Sequence, residues 1–307
     1  MLATLRCGAA AIVILAAGPA AADCGVVRMA EPGWTDLALT TGVASTILEG
    51  LGYEAKSGVL GIPVIYEGMK NRDLDVFLGY WVPAMETYFN AYRDTGTIET
   101  IHQNLEGAKF TFAVPSYVHQ AGVTSFADLE KHADKFDRKL YGIEPGSNEI
   151  MLDIIAKDAF GLGDWNVVES SEQGMLAQVE RAERRKEWIV FLAWAPHPMN
   201  TAHDIAYLEG GDDFYGPDFG GATVHTQVRT GYMEECPNVG RLLKQMTFDV
   251  PLESEGMGYI LNDGADPVAA GGRLLKAHPE VLAAWLDGVT TRDGGDGLAA
   301  VRGHLGL

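Results

Sequence analysis

The stretch Asp75-Val76-Phe77-Leu78-Gly79-Tyr80-Trp81-Val82-Pro83 decides how this chain is read. Its apolar run has strand length and is rich in aromatic and β-branched residues, and Pro83 marks its end. Alternation puts Phe77, Gly79 and Trp81 on one face. An apolar strand belongs in a core, but a Trp beside Pro at its exit stands at the rim. In open α/β sheets that rim is where ligands bind.

Two more exits of the same kind lie outward from it. Gly33-Trp34-Thr35-Asp36 follows a strand-like run at residues 26–30, and Ala193-Trp194-Ala195-Pro196-His197 ends another at 188–194. Trp165, Trp188 and Trp285 read as packing residues. Three aromatic rims, with Asp36 two residues past Trp34, suggest a box for a cation. A quaternary ammonium has no N–H to donate and spreads its charge over methyl groups, so it needs ring faces. Each well-placed ring contributes roughly 0.5–2 kcal/mol. Three or four rings carry micromolar binding, on the order of −8 kcal/mol, with methyl burial added.

Between these exits, strand and helix patterns alternate. Strands are expected at 26–30, 53–60 and 75–81, and helices at 36–49 (capped by Thr35), 63–71 and 83–93. Further strands follow at 109–115, 141–143, 167–168 and 188–194, with helices at 125–132, 148–160 and 171–187. Strand-like runs return at 205–208 and 224–229, and helices are expected at 237–246, 252–261, 268–276 and 279–289. This βαβ rhythm implies an α/β fold with a mainly parallel sheet in each of two lobes. The second lobe, 112–207, is inserted into a discontinuous first lobe, 23–111 plus 208–307. Crossings near 110–113 and near Tyr207 form the hinge. The Gly-rich turn at 292–297 lacks the spaced acidic ligands of a calcium loop.

Residues 1–22 read as a cleaved signal peptide, with Arg6 as the basic region and residues 9–17 as the apolar one. Cys7 leaves with it, and Cys24 and Cys236 form a pair that export to an oxidising compartment would join. The chain carries 23 Lys plus Arg against 42 Asp plus Glu, a formal charge of −19. Nucleic acid, which needs a basic face, is thereby excluded as a partner.

Long motifs in one order carry a resemblance over nearly the whole mature chain. They are Gly33-Trp34-Thr35-Asp36, Gly79-Tyr80-Trp81-Val82-Pro83, Gly142-Ile143-Glu144-Pro145-Gly146, Gly161-Leu162-Gly163-Asp164-Trp165, Glu169-Ser170-Ser171-Glu172-Gln173-Gly174-Met175 and Trp194-Ala195-Pro196-His197-Pro198-Met199-Asn200. The chain resembles the periplasmic substrate-binding proteins of ABC importers for quaternary amines, the glycine betaine/choline group, and within it the choline-binding members. The resemblance implies a type II venus-flytrap fold that closes on choline and delivers it to an inner-membrane permease. It implies a monomer in the periplasm, without cofactor or metal. Trp34, Trp81 and Trp194 match three box tryptophans, and Asp36 matches the acid beside the ligand. Asn148 matches an Asn that contacts the ligand hydroxyl, with Ser147 sharing that role in a shortened loop. Phe110 stands where the family has a box Tyr, and Tyr117 is the alternative. Cys24 and Cys236 match the family's half-cystines.

Glycine betaine, carnitine and trimethylamine oxide are alternative ligands, but a carboxylated ligand calls for Arg, Lys or N–H donors, and the box motifs hold Asp36 and no Arg. A secreted enzyme acting on choline derivatives is the alternative of a different class. The chain contains no nucleophile elbow, H-E-x-x-H helix or phosphate loop. His197 has no second ligand at metal spacing and reads as structural. With Asp36 near its usual value of about 3.9, affinity is expected to be flat between about pH 6 and 9.

Overall fold

The computed structural model describes residues 24–307; the expected signal peptide at 1–22 lies outside them. β1 (Val26–Arg28), α1 (Thr35–Gly50) and β2 (Glu54–Lys56) form a βαβ unit whose strands pair in parallel. α2 (Ile62–Lys70) leads to β3 (Val76–Val82), which a Met29–Val76 bridge joins in parallel to the end of β1, and α3 (Glu86–Arg93) follows. The remaining strands are β4 (Ile98–Pro115), β5 (Lys139–Tyr141), β6 (Asn166–Val168), β7 (Phe191–Ala195), β8 (Ile205–Tyr207) and β9 (Gly221–Arg229).

β4 is the first crossing between the lobes. Up to Lys109 it pairs antiparallel with β9, and from Lys109 onward it pairs antiparallel with β7 and then β8. β3 runs against β9, while β5 runs with β6 and β7. In each lobe, therefore, four strands share a direction and one opposes them, β9 in the first lobe and β4 in the second. Helices cover both faces, as such sheets require.

The return crossing comes later than Tyr207. Tyr207 pairs with Ala113 in the second lobe. Glu209 O then accepts from Phe126 N, and the Phe214 and Tyr215 rings pack on Phe160 and Phe126 of that lobe. The chain re-enters the first lobe at residues 216–221, because β9 pairs only with β3 and β4. There a Cβ on Gly220 would lie 2.1 Å from Phe110 O. Both crossings thus meet at Phe110.

α1 is buried nearly all round, against the sheet on one side and the helices Val250–Leu261 and Pro267–Ala277 on the other. Its seating depends on Gly79, where a Cβ would stand 2.1 Å from Leu37 Cδ1. The missing side chain lets the first turn of α1 lie against β3, which sets Asp36 beside Trp81. Trp34, not Thr35, occupies the N-cap position. Cys24 and Cys236 are joined, tying the start of β1 to the helix Pro237–Gln245. Among the described residues no helix is long and apolar enough to cross a membrane.

Candidate ligand-binding site

Trp34, Asp36, Trp81, Phe110 and Trp194 line one cavity together with Ala84 and Ile143, a tight space of about 10 Å³. The strand registers explain the meeting. Phe110 on β4 faces Trp194 on β7 as a paired residue, so both rings stand on one side of the sheet. The Trp81 and Phe110 ring centres are 6.2 Å apart. Asn200 Nδ2 donates to Trp194 O at 2.8 Å, and the His197 ring packs edge-on against the Trp194 indole, fixing its place.

Asp36 is 2% exposed. Its Oδ2 accepts from Trp81 Nε1 at 3.0 Å, while its Oδ1 is buried with no hydrogen-bond partner. Burial, reinforced by the nearby Glu172 carboxylate, pushes the Asp36 carboxyl up to about 7. A buried carboxylate with an unbonded oxygen among aromatic faces favours a positive charge beside it.

A set of acceptors that sequence reasoning did not single out surrounds the box. Glu144 Oε2 accepts from Trp34 Nε1 at 3.1 Å, and Glu144 Oε1 accepts from Glu172 N at 3.1 Å. Glu172 accepts from Thr35 N at 2.9 Å and from Thr35 Oγ1 at 2.5 Å. Glu149 accepts from the Tyr88 hydroxyl. Each of these three glutamates belongs to the second lobe and takes a donor from the first. Burial raises Glu144 and Glu31, and in both Glu172 adds repulsion. The signal in the sequence was slight, since Glu149 and Glu172 look like ordinary acidic residues in a helix's first turn.

His197 is structural. Its Nδ1 accepts from Met199 N at 2.8 Å, so Nε2 carries the proton and donates to Glu172 Oε1 at 3.1 Å.

Three expected contacts do not reach the box. Asn148 is spent on its own turn: Oδ1 accepts from Ile143 N, and Nδ2 donates to Ile143 O, Glu144 O and Glu169 Oε1. Ser147 lies on that turn, its N–H bonded to Glu144 O, and does not line the cavity. The Tyr117 hydroxyl donates to Ala182 O and Glu187 O at the far end of the helix Glu172–Arg185. Ala84 and Ile143, both missed, are the apolar fill between the rings.

A family profile for the substrate-binding domain of ABC-type glycine betaine transport systems matches residues 25–290. An ABC-transporter choline-binding protein solved in complex with choline is 52% identical, with a TM-score of 0.90 over 92% of this chain and 98% of that one. A choline-binding protein in an unliganded semi-closed conformation, also 52% identical, superposes at 0.84 over 92% of this chain and 99% of that one. The glycine betaine/carnitine transport binding protein GbuC of Listeria monocytogenes serotype 1/2a (strain 10403S) is 30% identical over 163 residues, 52% of this chain and 53% of that protein.

Proposed function

The chain belongs to the family of substrate-binding domains of ABC-type glycine betaine transport systems, and from its box we propose that the ligand it captures is choline. It is a solute-binding protein of ABC transport and not an enzyme. Proteins of this kind work outside the cytoplasmic membrane and serve a membrane permease. In the proposed reading this one is a periplasmic monomer. Its first lobe, the chain up to about residue 111 and again after the return at 216–221, and its second lobe, the chain between, shut on the ligand.

The observation that carries the reading is Asp36 Oδ1, buried without a partner among three indoles and Phe110. Trp34, Trp81, Phe110 and Trp194 give ring faces to the trimethylammonium group, and Asp36 balances its charge or accepts from its hydroxyl. Asn148, with its amide spent on the turn, acts by holding Ile143 in the wall. Glycine betaine fits less well. No Lys or Arg lines the cavity, and the N–H of Ile143 is already bonded to Asn148. A ligand carboxylate would face Asp36.

Calorimetry with choline, acetylcholine, glycine betaine, trimethylamine oxide and ethanolamine tests this. Choline is expected to bind at micromolar Kd or tighter, with ethanolamine at least a hundredfold weaker. Equal affinity for ethanolamine would remove the aromatic box as the determinant. Tighter binding of glycine betaine would replace choline as the ligand.

A further inference from the structure

α1 begins without a cap of its own. Its N-cap residue is Trp34, whose indole cannot accept a hydrogen bond, and the helix makes no cap bond from that side chain. The opening amides of a helix need acceptors from outside it. Here Thr35 N finds Glu172 Oε2, and the Thr35 hydroxyl finds Glu172 Oε1, from a residue 137 positions away in the other lobe.

We propose that Glu172 is the closure latch: a positioning residue that caps α1 across the cleft only when the lobes are shut. This inference rests on the reading of a ligand held between two closing lobes.

Glu172 is preset for the role within its own lobe. His197 Nε2 holds Oε1, the Glu172 N–H is anchored on Glu144, and Ser171 Oγ caps the same helix by accepting from Gly174 N at 3.0 Å. Opening would cost Glu172 only its Thr35 contacts, while Thr35 would turn to water. The carboxylate does not line the box. It therefore acts on the closed–open balance, and on the box only through the charge it places near Asp36, which Thr35→Val leaves unchanged. Cap bonds of this kind shift such a balance by about two- to thirtyfold. The effect falls on release, because the bond forms after the ligand has entered.

The test uses the mature protein with spin labels on one exposed site of each lobe, through Lys56→Cys and Asp134→Cys. Interlobe distances are recorded with and without choline for four proteins: the labelled parent, Glu172→Gln, Thr35→Val and Thr35→Ser. Choline release is timed by stopped-flow Trp fluorescence. Glu172→Gln and Thr35→Val are expected to lower the closed share and to speed release about tenfold, with association within about twofold of the parent. Thr35→Ser, which keeps the hydroxyl, should match the parent, an outcome that a mere packing role for Thr35 does not give.

Equal closed shares in all four proteins would overturn the latch while leaving choline binding intact. A parent that shows a closed population but no response to choline would overturn the choline reading, and the latch is then judged on the ligand-free distances. A parent with no closed population in either condition would overturn both.

Discussion

The first lobe gives the cavity two indoles and a carboxylate, whereas the second gives it one indole and the branched apolar side chain of Ile143, and turns its carboxylates elsewhere. Glu144, Glu149 and Glu172 face donors of the first lobe: Trp34 Nε1, the Tyr88 hydroxyl and Thr35. In the proposed reading the ligand is gripped mainly by rings and the cleft held shut mainly by oxygens, with Trp34 serving in both. The two indoles that end matching strands give the sharpest test of this division. Trp81→Ala removes a ring and also the side chain that donates to Asp36 Oδ2, whereas Trp194→Ala removes a ring alone. Calorimetry should show choline affinity falling at least about a hundredfold in both, roughly 3 kcal/mol, with the larger loss in Trp81→Ala. A larger loss at Trp194 would mean that the second lobe contributes more to the grip than its single ring suggests.

Asp36 is next in size, and here the structure corrects the expectation of a flat pH response. Burial, and then the Glu172 carboxylate, pushes its carboxyl up to about 7. Proton and choline compete for the same charge. Apparent affinity should therefore fall about tenfold for each pH unit below 7 and level off above about 8. Asp36→Asn should bind about ten- to thirtyfold more weakly at pH 8 and lose the pH dependence. The effect on stability has a definite sign. A carboxyl raised in the folded state contributes stability that is fully present below its unfolded value of about 3.8, and that is lost as pH rises through about 7. The melting-temperature gain on adding choline should grow between pH 6 and 8. A constant gain would show that the cation does not neutralise Asp36.

The grip was far more legible in the sequence than the closure. Trp34, Trp81 and Trp194 announce themselves because Gly and Pro break apolar runs beside them, and a Trp at such a break has no ordinary core role. Glu172 gives no such sign. It opens a helix otherwise dense in charge, and only the fold shows that it is fully buried against another lobe. Two elements escaped for related reasons. Residues 98–108 of β4 are polar at many positions because part of that strand is exposed, so only the apolar 109–115 read as strand. The helix Gly297–Leu305 follows a Gly-rich turn that reads as an ending, yet Asp296 caps it by accepting from Ala299 N. The bonds of Asn148 to its own turn are equally silent, because a sequence does not show that a loop closes on its own amide.

The outer closure contact should matter less than the buried one. Tyr88 is partly exposed, and its hydroxyl meets Glu149 near the rim, where water competes for both groups. Tyr88→Phe is expected to weaken choline binding only about two- to threefold, a few tenths of a kcal/mol, read by the same calorimetry. A tenfold loss would move the latch outward, from α1 to α3.

The smallest change expected is at the wall the lobes share. Phe110 lies where both crossings meet, its ring held between Trp81 and Tyr215, 5.8 Å away, and its carbonyl packed against Gly220. Backbone and neighbouring rings, not the para position, set where that ring stands. The attraction of a cation comes from the ring's quadrupole, which Phe and Tyr share. A hydroxyl added there would need a partner, and the idle Asp36 Oδ1 lines the same cavity. Phe110→Tyr should then leave choline affinity within about twofold at pH 8. A tenfold gain would show that the fourth wall acts through its phenol as well as its face. The division between rings that grip and oxygens that close would then fail at the one residue standing in both lobes.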